Sequence, residues 1–257
     1  MGYRIFILGI LLSYGPILSA QLNESDTLRF QGRGSLTGSS QKGNVDLLTV
    51  RGRLDFSVAP QGPFVFKSQN SALYQEFSGR KADADLFSRN YLYYQPSKKW
   101  YPFFIAYLST NFRRKIRFRH FEGAGLTYQL FNRRNQVMKV SASTVYESTL
   151  FSEANYNYPA FDGDKTIRLW RATAYLGGWT YLLDRHLRIF YDAYWQPAFS
   201  KKSNFRTQFE LGLDLAVWKG LSVTGFYNYT HENLVVRNVK QDDRILTWGL
   251  SYTIKVK

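Results

Sequence analysis

The sequence has no cysteine, only two methionines and, after its first twenty residues, no apolar run approaching the length of a spanning helix. Without cysteine there is no disulfide, no thiol catalysis, no cysteine-rich metal site and no bacterial lipoprotein anchor. Without a long apolar run, the rest of the chain cannot cross a bilayer as a helix, so any crossing must be made by strands. Convincing 3.6-residue periodicity is also missing. No phosphate-cradling glycine-rich loop is present, and His231-Glu232-Asn233-Leu234-Val235 lacks the second histidine of a zinc helix. No cofactor and no metal is expected.

What is abundant points one way. Aromatic residues make up 18% of the 257, a composition that favours strands. The N-terminus, MGYRIFILGILLSYGPILSAQ, has Arg4 ahead of an apolar core, a Gly15-Pro16 break and the small pair Ser19-Ala20. It is predicted to be a secretory signal peptide spanning 1–20, leaving one domain, 21–257. Lys and Arg exceed Asp and Glu by 34 to 19, a formal charge of +15. An exported chain rarely meets nucleic acid. The expected partners are therefore outer-membrane lipid, lipopolysaccharide phosphates and small anionic solutes, with Arg113, Arg114, Lys115, Lys201 and Lys202 as the external basic groups.

From Thr27 onward, twelve segments alternate with a period of two, at 27–40, 45–58, 63–77, 84–95, 102–112, 116–131, 136–150, 167–183, 187–198, 204–218, 221–233 and 244–256. Even-numbered connections are short. The long ones, from Ser78, Ser152, Phe199 and Glu232, are all odd-numbered. An even strand count with loops sorted by length matches outer-membrane barrels, whose periplasmic turns are short and external loops long. The fold class expected is all-β: a transmembrane antiparallel up-and-down β-barrel of about twelve strands in the outer membrane of a Gram-negative bacterium.

Parity then separates two faces. Leu211, Leu213 and Leu215 oppose Glu210 and Asp214, and Leu250 and Tyr252 oppose Gly249 and Ser251. In a soluble sandwich the apolar face would pack inward; in a membrane barrel it meets lipid and the polar face lines the lumen. Tyr93, Tyr94, Trp100, Tyr101, Trp179, Tyr181, Trp195 and Trp218, near strand ends, suit interfacial girdles and favour the barrel. The lumen is then predicted to carry Arg29, Arg33, Arg51, Arg53, Lys67, Arg117, Arg119, Lys139, Arg168, Arg188 and Arg206 against Asp55, Glu147, Asp192, Glu210 and Asp214. A fixed positive surplus favours anions, whereas interlocked ion pairs would close the interior.

Thr247, Gly249, Tyr252 and Ile254 have the polar, glycine, hydrophobic, hydrophobic spacing of the signal read by the barrel-assembly machinery. The segments RNYLYYQPSKKWYPF (89–103) and RFRHFEGAGLTYQL (117–130) resemble the family of salt-induced outer-membrane proteins, domain of unknown function 481. Arg89, Asn90, Trp100, Arg117, Gly123 and Gly125 are its family-like positions. The resemblance implies location and fold far more than chemistry.

A small pore is the leading expectation, and no enzyme activity is expected. The competing readings are a closed structural or surface-binding barrel and an outer-leaflet lipid hydrolase using His120 or His231, although neither histidine has a local serine motif. His186 is expected in a turn. Glu153, Asp162 and Asp164 are read as a solvated polar loop.

Overall fold

The computed structural model describes residues 22–25, 28–43, 46–60, 62–200 and 204–256. The predicted signal peptide and the Lys201-Lys202 pair lie outside them. Twelve strands follow in order: β1 Phe30–Gln41, β2 Leu47–Val58, β3 Phe64–Phe77, β4 Arg80–Tyr94, β5 Trp100–Asn111 and β6 Ile116–Arg133, then β7 Gln136–Phe151, β8 Thr166–Leu182, β9 Leu187–Pro197, β10 Phe205–Trp218, β11 Leu221–Glu232 and β12 Asp242–Val256. Each pairs antiparallel with its sequence neighbour, and β12 closes on β1. Closure pairs the backbone polar groups that hydrocarbon would leave unsatisfied.

The seam explains one predicted residue. Gly249 faces Thr37 across β1 and β12, and a Cβ there would meet the Leu36 carbonyl oxygen at 2.0 Å. Close approach of the two backbones therefore requires glycine. Along β12, Thr247 is buried inside while Tyr252 and Ile254 are exposed outside.

The expected outer face is apolar along its length. Leu213 and Leu250 are 37% and 52% exposed, and Leu36, Leu54, Leu86, Phe104 and Leu246 share their side of the sheet. A continuous apolar belt of this kind needs hydrocarbon, and every strand has the roughly 9–11 residues a tilted crossing requires. The girdle expectation holds for half its residues. Tyr94, Trp100, Trp195 and Trp218 are exposed outside, whereas Tyr93, Tyr101, Trp179 and Tyr181 are buried and point inward. Strand alternation puts Tyr93 and Tyr94, or Trp100 and Tyr101, on opposite faces.

The predicted loop from Ser78 is instead a tight hairpin. Ser78 and Gly79 both take positive φ (48° and 75°), the conformation of a two-residue turn, and β4 starts at Arg80. The other long loops do gather at one end. There the β7–β8 loop, with a short 3-10 turn at Pro159–Phe161, meets the β11–β12 loop through a Tyr156–Val236 bridge. Leu234 and Val236 pack with Phe161 on inward-facing Ile116, Phe151, Ile167 and Leu169. The β11–β12 loop thus reaches across the mouth to the β6–β8 wall. Burial, reinforced by the Asp164 and Asp162 carboxylates, pushes the Tyr156 phenol up to about 12. It therefore stays protonated and donates to the Asp164 carbonyl at 2.8 Å.

Candidate functional site

Two chambers of the interior are lined by described residues at its opposite ends. The one at the long-loop mouth, about 110 Å³, is lined by Arg51, Arg114, Arg119, Arg206, Glu210, Glu232 and Asp243 among others. The one at the short-turn end, about 80 Å³, is lined by Lys67, Arg89, Tyr91, Tyr93, Phe103, Lys139, Tyr175, Trp179 and Asp192 among others. Between them is a waist whose cavity is about 10 Å³, bounded by Arg53, Phe87, Arg89, Asp192, Tyr194 and Glu210 among others.

At the mouth, basic residues are tied to carboxylates on other strands. Arg119 donates to both oxygens of Glu232 at 2.7 and 2.8 Å, a bidentate pair, and to the Thr149 hydroxyl at 3.0 Å. Glu147 accepts from Arg171 at 3.0 Å and lies 2.8 Å from the Arg206 guanidinium. Arg114 donates to Asp243 at 2.8 Å and to the Gln241 carbonyl at 3.1 Å. Towards the other end, Arg33 donates to Asp214 at 2.8 Å, Arg188 pairs with the same carboxylate, and Phe190 lies 4.4 Å below the Arg188 guanidinium. Arg53 bridges Asp55 (2.9 Å) and Glu210. With the Asn228 amide turned to satisfy its neighbours, it donates to Glu210 at 3.0 Å and accepts from Arg51.

Arg51 forms no carboxylate salt bridge among the described residues, and Arg89 too differs from the paired arginines. It is 8% exposed, and no salt bridge joins it to a carboxylate among the described residues. Its guanidinium lies instead within 5.4–5.9 Å of the Tyr194, Phe87 and Tyr107 rings, facing both waist and chamber. Aromatic faces hold a cation without neutralising it.

Most predicted lumen residues face the interior: Arg33, Arg51, Arg53, Lys67, Arg119, Lys139, Arg188 and Arg206, with Asp55, Glu147, Asp192, Glu210 and Asp214. Three do not. Arg29 precedes β1 and is exposed at the rim. Arg117 is displaced by a bulge between Ile116 and Phe118, which leaves it exposed while Ile116 and Arg119 both turn in. Arg168 is exposed because inward positions of β8 are Ile167, Leu169 and Arg171. Arg114, expected on the outer surface, is 3% exposed within the mouth.

Sequence reasoning missed Arg171, Glu232, Asp243 and Glu24, together with the inward tyrosines. The parity of β8 hides Arg171, because Leu169 turns inward beneath the loop cluster and not outward to lipid. Glu24 stands ahead of the first strand, where alternation carries no signal.

The histidines lie away from the lumen chambers. His120 pairs with Glu122 at 3.2 Å, His231 with Asp242 at 3.0 Å, and His186 contacts the Leu183 carbonyl in a turn. Among the described residues, no side-chain hydrogen bond joins a histidine to a serine hydroxyl. In the long loop, Asp162 accepts from the Tyr156 amide at 2.6 Å and Glu153 pairs with Lys115 at 3.4 Å.

A family model described as a protein of unknown function, DUF481, matches residues 34–254. No curated protein matches the chain. The solved structure of the NanC porin superposes with a TM-score of 0.51 at 10% identity, over 87% of this chain and 98% of that one. The translocator domain of the autotransporter NalP from Neisseria meningitidis gives 0.46 at 11% identity, over 88% and 89%. The likeness to NanC shows a shared barrel fold.

Proposed function

The chain belongs to the DUF481 family, and on that premise we propose that it is a small outer-membrane pore that favours anions. The observation that carries this is Arg89: a buried guanidinium with no carboxylate salt bridge, standing where the two chambers meet. Elsewhere in the lumen, Glu210, Asp214, Glu147 and Glu232 pair directly with the cations they touch, so part of the surplus inferred from composition is neutralised. Selectivity then rests on the waist, where a guanidinium with no direct carboxylate partner acts on a passing ion in a narrow, low-dielectric passage that Asp192 and Glu210 also border. The NanC structure, whose fold this barrel shares, is described as a porin. In this reading the signal peptide directs export, the β12 residues Thr247, Gly249, Tyr252 and Ile254 are read by the assembly machinery, and the apolar belt sits in lipid beside lipopolysaccharide.

Single-channel recording in a salt gradient tests the proposal. The purified barrel should conduct, with a reversal potential showing anion preference, and Arg89→Gln should move that preference towards equality. Arg53→Gln should change it less, because Asp55 and Glu210 already balance Arg53. A barrel that stays silent at all voltages would be a closed structural one, and cation preference would overturn the role of Arg89.

A further inference from the structure

The segment Leu22–Ser25 belongs to no strand, yet it folds into the short-turn chamber. Leu22 is 4% exposed and Glu24 6%. The Glu24 carboxylate accepts from Lys139 at 2.8 Å, Tyr101 at 2.9 Å and Lys67 at 3.3 Å. Burial alone would raise this carboxyl; the Lys139 and Lys67 ammonium groups outweigh it and hold the group well below the usual carboxylate range. Gln31 holds the preceding residue, accepting from the Asn23 amide at 3.1 Å and donating to its carbonyl at 2.9 Å.

Among the described residues, Glu24 is the only carboxylate in a salt bridge with Lys67 or Lys139. The wall's own acid, Asp192, accepts from the Tyr175 hydroxyl and forms no salt bridge with either lysine among the described residues. The chamber wall therefore presents two ammonium groups, Arg89 and one carboxylate, with the direct ionic partner of both lysines supplied from outside the wall. Two buried ammoniums left without an ionic partner are strongly disfavoured. Anything that replaces the segment must bring an anionic group to Lys67 and Lys139, and an apolar body to fill the space that Leu22 vacates.

We propose that the short-turn chamber is a binding site for small carboxylates with an apolar body, and that Leu22–Glu24 occupies it as an internal stand-in which such a ligand displaces. The inference rests on the pore reading in taking this site to lie on the permeation path. A tethered competitor holds the site closed most of the time, so the apparent affinity of a free ligand falls by the fraction of time the site is open.

The test uses the folded mature barrel in detergent micelles, with benzoate as probe and benzamide as its neutral counterpart, read by calorimetry. Glu24→Gln should bind benzoate about 10-fold more tightly than the unaltered protein. Benzamide should bind neither, and Lys139→Gln in the Glu24→Gln background should lose the gain. Because the chain has no cysteine, Ser25→Cys in the otherwise unaltered protein reports the segment directly. Benzoate should speed its reaction with a maleimide and benzamide should not. Equal benzoate affinity with and without Glu24, equal binding of benzamide, or a maleimide rate that benzoate leaves unchanged would each overturn the inference. Conductance on the same samples separates the two readings: a conducting barrel indifferent to benzoate keeps the pore and removes this site, whereas a silent barrel that binds benzoate removes the pore alone.

Discussion

The mouth and the short-turn chamber solve the same electrostatic problem differently. At the mouth, Glu147, Glu232 and Asp243 are set on or beside wall strands and meet Arg171, Arg206, Arg119 and Arg114 across the interior. In the short-turn chamber, no wall carboxylate among the described residues forms a salt bridge with Lys67 or Lys139, and both pair with Glu24, which lies ahead of β1. Charge pairs on closed strands can separate only if the barrel deforms; a pair with one member on a terminal segment can separate while the barrel stays intact. The first arrangement braces, and the second is releasable.

The largest effect should come from breaking the brace. Glu147→Ala leaves Arg171 and Arg206 without their shared carboxylate and should cost about 3–5 kcal/mol, the usual penalty for an orphaned buried charge. Denaturant unfolding in detergent measures it. Glu24→Ala in the same assay should leave the barrel's cooperative transition largely in place; an equal loss would erase the distinction between the two ends. A smaller effect is expected from a double-mutant cycle on Arg119 and Glu232, whose bidentate geometry should give a coupling of about 1–3 kcal/mol. A coupling near zero would mean that water, not the partner, satisfies these groups.

The smallest effect concerns pH. The Glu24 carboxyl is held below its ordinary value of 4.5, so its contribution to seating the segment is fully present above that value and is lost only as pH falls below it. Between pH 8 and pH 5 the maleimide reactivity of Ser25→Cys, corrected for thiol ionisation, should therefore not rise. A rise in that window would place the holding charge on some other group.

The strands and the lipid-facing side were legible because alternation is a local property. Leu213 and Leu215, or Leu250 and Tyr252, declare their face from neighbours two residues away. The same rule failed where something non-local intervened. The bulge at Arg117 adds a residue to one strand and resets its parity. Leu169 turns inward because loops fold back over it, which disguised Arg171. Tyr93 and Tyr101 face inward although they suit a girdle by position, because an aromatic at a strand end reads alike from either face. Arg114 was placed outside because turn charges are ordinarily solvated.

The sequence by itself determined a closed twelve-stranded barrel, an apolar exterior and most of the charged residues that strand alternation turns to the interior, since each follows from short-range periodicity and turn chemistry. Which charges cancel was decided only by the tertiary structure. Arg119 and Glu232 stand 113 positions apart, and Lys139 and Glu24 115 apart. Barrel closure brings such pairs within hydrogen-bonding distance and leaves Arg89 among aromatic rings, because a lumen is bounded by every strand at once and no single segment contains its geometry.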